Sequence, residues 1–84
     1  MSRKILRSTP VDIDWRAVGR RIRELRGFDM NQVEFSLLLG ISQSQLSRYE
    51  KGVSEIGAEI LLRIAHQYGK TIEWLLTGKE AQHL

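Results

Sequence analysis

Residues 32–51 read QVEFSLLLGISQSQLSRYEK and change character at Gly40. Before the glycine the stretch is mostly apolar and ends in Leu37, Leu38 and Leu39. After it come Ser42, Gln43, Ser44, Gln45, Ser47 and Arg48. Both halves have helical spacing. Successive helical residues turn through about 100°, so Phe35, Ser36 and Leu39 share one side of the first half, with Leu38 flanking them. In the second half Leu46 and Tyr49 share one side, with Glu50 at its edge. Gln43, Ser44, Ser47 and Arg48 lie opposite, and each can donate or accept hydrogen bonds. Gly40 can take the positive φ of a sharp turn. Ser36 is small enough to let the second helix cross close to the first, and Ile41 fills the angle between them.

The flanking chain extends this helical pattern. Asn31 with Glu34 three residues on is a variant of the capping box and starts one helix. Ser42 with Gln45 starts the next, which ends near Gly52. Upstream, Val18, Ile22 and Leu25 form a buried stripe on a helix that starts at Asp12 or Asp14, runs to Arg26 and ends at Gly27. Downstream, a helix over residues 58–68 turns Ile60, Leu61, Ile64, Ala65 and Tyr68 inward, and Gly69 closes it. A short helix over residues 71–77, with Ile72, Leu75 and Leu76 inward, ends at Gly78. No segment alternates as a half-buried strand does. The expected fold is an all-α, compact five-helix domain.

The chain has 84 residues, enough for one small domain, and no cysteine to staple it. Its formal net charge is +3. Arg3, Lys4 and Arg7 account for that excess within the first ten residues, which hold no acid. Residues 1–11, ending just past Pro10, therefore read as a basic arm, residues 12–78 as the domain and residues 79–84 as a tail. The arm is either a plain solvated leader or a strand of positive charge for an anionic partner. No apolar run is long enough for a membrane span, and the expected setting is the cytoplasm. No separate ligand-sensing domain is expected in a chain of this length. His66 and His83 are far apart in sequence, and no nucleophile–base pair or phosphate-cradling glycine loop is present. Neither enzyme activity, a metal nor a cofactor is expected. Glu59 and Glu73 read as solvated charge. Arg16, Arg20 and Arg23 form either a wet helix face or a phosphate-facing ridge.

Helix, tight turn and helix with an outward polar face is the arrangement that DNA-binding proteins set against a duplex. In register, the unit that begins at Gln32 resembles that of the phage Cro and repressor (Xre-type) family. The apolar residues Phe35, Leu39, Ile41, Leu46 and Tyr49, the small Ser36 and the glycine at Gly40 all fall where that family has them. LSRYEKG resembles the end of its recognition helix and IEWLLTG its fifth helix. The resemblance spans about residues 12–78. It implies base contacts from Gln43, Ser44 and Arg48, with Ser47 touching a base or a phosphate. It also implies a backbone phosphate contact from Gln32. The chemistry agrees: glutamine pairs with adenine and arginine with guanine in the major groove, and the helix N-terminus at Asn31 and Gln32 favours an anion.

The family also places an ion pair on Glu50. The loop RGFDMNQ is one residue shorter than its common pattern, so the partner is either Arg26 or Arg23. GVSEIG lacks the basic residue often found after the recognition helix, which leaves Lys51 for that phosphate. The expected function is a regulator of transcription, a repressor, that binds double-stranded DNA as a homodimer. Trp74, Leu75 and Leu84 are the expected dimer contacts, although Trp74 could instead close the bottom of the core. The alternative is an antitoxin or adaptor that binds a partner protein, for which the exposed pair Val33 and Leu37 and the tail would matter most.

Overall fold

The computed structural model describes residues 12–80. Arg3, Lys4, Arg7, His83 and Leu84 lie outside the described residues. Within them the chain forms α1 (Trp15–Arg26), α2 (Gln32–Leu39), α3 (Gln43–Lys51), α4 (Ala58–Tyr68) and α5 (Ile72–Thr77).

Local chemistry explains where the helices begin. Asp14, not Asp12, caps α1: its Oδ1 accepts from the Ala17 N–H at 3.1 Å. Asn31 and Glu34 form a complete capping box, with Asn31 Oδ1 accepting from Glu34 N–H and Glu34 Oε1 accepting from Asn31 N–H. Ser42 Oγ accepts from Gln45 N–H at 3.0 Å. That box stays half closed, because the Gln45 side chain donates to Tyr49 Oη instead. Gly40 has φ 74°, the left-handed conformation the tight turn requires.

The core takes Val18 and Ile22 from α1, Phe35 and Leu39 from α2, and Leu46 and Tyr49 from α3. Leu61, Ile64 and Ala65 of α4, Leu75 of α5 and the loop residue Ile56 complete it. Leu25, Ile60 and Tyr68, expected inside, are half-buried at its margin. Leu38, expected at the flank of the buried side, is exposed, since α2 carries apolar side chains nearly all round. Leu75 corrects the expected dimer contacts: at 0% exposure it belongs to the monomer core and cannot meet a second copy. Trp74 also packs against the core, half-buried, with Lys70 Nζ 4.7 Å from its ring centroid.

Helix α3 is held most closely by α1, and Gly19 lets them meet. A Cβ at Gly19 would lie 2.5 Å from the Tyr49 carbonyl oxygen and 2.6 Å from that of Glu50. Two arginines then tie helix ends to the body: Arg21 Nη1 donates to Leu75 O at 2.8 Å and Arg63 Nη1 to Leu39 O at 2.7 Å. Glu59, expected as free charge, pairs with Arg63 one turn on, an exposed contact of little energetic weight.

Gly19→Ala tests the crossing. In an exposed helix that change stabilises by about 0.8–1 kcal/mol. Here the expected outcome has the opposite sign, a loss of about 1–3 kcal/mol from overpacking, read from the urea unfolding midpoint.

Candidate nucleic-acid interface

Burial of Leu46 and Tyr49 fixes the roll of α3. The opposite face then presents Gln43, Ser44, Ser47 and Arg48 outward. Together with Gln32 from the start of α2 they line one open depression of about 390 Å³. These five residues were expected at the DNA surface, and the fold brings them together. Lys51 is exposed in the last turn of the same helix. Asn31 is exposed beside Gln32, but its backbone N–H and its side-chain oxygen are both used in the capping box. Glu34 also adds negative charge to the first turn of α2, so the anion-binding capacity expected of this helix end is partly spent within the chain.

Behind the depression lies a buried carboxylate. Arg26, not Arg23, is the partner of Glu50. Its Nε donates to Oε2 at 2.7 Å and its Nη2 to Oε1 at 2.8 Å, a bidentate pair. Arg26 Nη1 also donates to the Met30 carbonyl at 3.2 Å. The side chains are 14% and 4% exposed for Arg26 and Glu50. The hydrogen bond to Glu50 raises the Arg26 pKa above its ordinary value, against the lowering effect of burial, so the guanidinium keeps its charge. Gln32 Nε2 donates to Glu50 Oε1 at 2.9 Å. The expected phosphate-binding glutamine is therefore anchored to the ion pair, with its second amide N–H left over.

Sequence reasoning missed this second partner of Glu50, and no local signal marks it, because Gln32 and Glu50 are 18 residues apart. It also missed the contact of Arg48, whose Nε donates to Ser54 Oγ at 3.0 Å. Gly19 was overlooked although an isolated glycine within a helix is itself a packing signal. Arg16, Arg20 and Arg23 stay exposed along α1. Arg23 lines a separate groove of about 450 Å³ with Glu24, Arg26, Gly27 and the fully exposed Phe28. Val33 and Leu37 are exposed as expected, Leu37 at 75%. Among the described residues no helix is long and apolar enough to cross a membrane.

Comparison with known proteins gives this geometry a context. Residues 20–75 match the Helix-turn-helix family. The chain is similar to the antitoxin PezA of Streptococcus pneumoniae serotype 4, at 38% identity over 52 residues. That match takes in 61% of this chain and 33% of the antitoxin, so the chain spans about a third of that relative's length. Among solved structures it is similar to the P22 c2 repressor in complex with synthetic operator 9T. The TM-score is 0.67 at 27% identity, over 74% of this chain and 96% of the repressor chain. The restriction-modification controller protein C.AhdI from Aeromonas hydrophila gives a TM-score of 0.65 at 25% identity, over 74% and 96% of the two chains. The clp gene regulator ClgR from Corynebacterium glutamicum gives 0.66 at 25%, over 80% and 72%.

The buried carboxylate is open to a direct test. Glu50→Ala leaves Arg26 half-enclosed without its counter-charge and is expected to cost about 3–5 kcal/mol. The double change Arg26→Met with Glu50→Leu removes both charges and should recover most of that loss. Urea unfolding of the three proteins measures both effects.

Proposed function

Because the chain belongs to the helix-turn-helix family and has the fold of Cro- and repressor-like, Xre-type DNA-binding regulators, we propose that it represses transcription by setting α3 in the major groove of a specific DNA site. The observation that carries this reading is the single depression lined by Gln32, Gln43, Ser44, Ser47 and Arg48. Its chemistry suits base edges better than a small ligand: it is open and built from amides, hydroxyls and one guanidinium. Gln43 and Arg48 offer the bidentate donors and acceptors that adenine and guanine match in the major groove. Ser44 and Ser47 supply single contacts between them. Gln32 and Lys51 flank the reading face, placed to meet phosphates and fix the register. Repression, rather than activation, is supported by likeness to the P22 c2 repressor, a structure that holds a synthetic operator. The site of action is then the nucleoid, in the cytoplasm.

One such unit covers about half a site, and discrimination across a genome generally calls for two half-sites a helical turn apart. We therefore place two copies in a two-fold dimer. With Leu75 inside the core, Trp74 is the contact candidate among the described residues, its ring half-exposed beside Lys70. The arm, with Arg3, Lys4 and Arg7, would follow the backbone or enter the minor groove.

A second reading has its own support. The exposed Val33 and Leu37 on the outer face of α2, together with the similarity to PezA, favour an antitoxin or adaptor that uses α2 against a partner protein. Both readings can hold in one chain, since α2's outer face and α3's outer face are different surfaces.

Selection of bound duplexes from a random DNA pool tests the first reading. An enriched motif is expected, and Gln43→Ala or Arg48→Ala should weaken its binding by about 1–3 kcal/mol and flatten the preference at one base pair. Unchanged affinity and preference in both variants would reject α3 as the reader. Sedimentation over a range of concentrations, with and without the selected duplex, should show a dimer that Trp74→Ala loosens. A strict monomer on a single half-site would reject the dimer.

A further inference from the structure

We propose that Ser54, which lies outside the recognition helix, is a positioning residue for base reading: its hydroxyl holds the Arg48 guanidinium by one edge so that the other donors face the groove. The inference deepens the reading of α3 as the DNA-reading helix and rests on it.

The backbone after α3 explains how a residue six positions on reaches back to Arg48. Gly52 adopts φ 75°. Its N–H donates to Tyr49 O at 3.0 Å, and the next N–H, that of Val53, donates to Arg48 O at 3.1 Å. This pair of bonds is a Schellman closure, which folds the chain back over the last turn. The closure is also pinned from behind. A Cβ at Gly52 would stand 2.5 Å from Arg16 Cα, so the turn rests directly on α1. Arg48 is thereby the residue whose carbonyl receives the returning chain, and Ser54 follows Val53 directly. The result is the 3.0 Å bond from Arg48 Nε to Ser54 Oγ.

The chemistry of that bond suits a reader. An unrestrained arginine loses considerable rotamer freedom when it engages a base. A bond at Nε fixes the plane of the guanidinium beforehand and leaves the Nη1 and Nη2 hydrogens, an end-on fork that matches guanine O6 and N7. A neutral hydroxyl is the appropriate holder. A carboxylate in its place would pair with the guanidinium and compete with the base. Glu55, the adjacent acid, makes no ion pair with Arg48 among the described residues, so the positive charge stays available to the duplex.

The test uses the full chain with the duplex selected from the random pool and its single-base-pair variants. Ser54→Ala should keep the wild-type melting temperature and weaken binding to the selected duplex about three- to tenfold, the scale of one hydrogen bond. That loss should appear as lower discrimination at the same base pair where Arg48→Ala flattens it. Ser54→Thr, which keeps the hydroxyl, should restore affinity and discrimination. In an Arg48→Ala background, Ser54→Ala should have no further effect. Wild-type discrimination in Ser54→Ala, or tighter binding, alongside a clear effect of Arg48→Ala would overturn the proposal while leaving the reading of α3 intact. If Arg48→Ala itself changes nothing, the reading of α3 by that residue fails, and the role of Ser54 fails with it.

Discussion

The carboxylate of Glu50 sits where three helices meet. It projects from α3, accepts two hydrogen bonds from Arg26 at the end of α1, and accepts a third from Gln32 at the start of α2. A buried ion pair adds little net stability against an apolar replacement, yet it penalises any arrangement that leaves one charge unpaired. Its value here is angular. If α3 rolled about its axis, Glu50 would leave its donors; if α2 shifted, Gln32 would. The face that carries Gln43 and Arg48 is thus set by a contact at its own edge, two turns along the same helix from Gln43.

A second pattern runs through the arginines. Arg21, Arg26 and Arg63 each donate to a main-chain carbonyl, at Leu75, Met30 and Leu39 respectively. These carbonyls sit at helix ends or in the turn before α2, where the helical ladder leaves acceptors without partners. Three of the domain's cations therefore serve as struts. Arg16, Arg20, Arg23, Arg48 and Lys51 remain exposed. Beyond residue 11 the chain carries as many acids as lysines and arginines, so attraction to DNA has to come from where charge is placed rather than from its total.

Much of this was legible in the sequence because the signals were local. Asn31 with Glu34, Ser42, and the glycines at helix ends act within a single turn, and the predicted elements match the five helices closely. The outward face of α3 followed from the spacing of Leu46 and Tyr49 alone. What could not be read was contact between distant segments. The family resemblance left both Arg23 and Arg26 open as partners of Glu50, since the loop is one residue shorter than the family's common pattern. Leu75 was expected both as an inward residue of the last helix and as a lesser dimer contact, and its full burial leaves only the first. Ser54 gave no sign at all, for its role depends on a turn conformation and on a side chain reaching backward.

Gly19 and Gly52 have a consequence for the way this protein meets a duplex. Where two helices touch through main-chain atoms, no side chain lies between them to change rotamer and absorb a displacement. The angle between α1 and α3 is then close to a fixed quantity. On the proposed reading of DNA by α3, a stiff crossing leaves the work of accommodating an imperfect sequence to the DNA. Bending, twisting and groove width have energies that depend on base steps the protein never touches. Under that proposal, the stiffness of this crossing would make the mechanical properties of the duplex part of what is recognised.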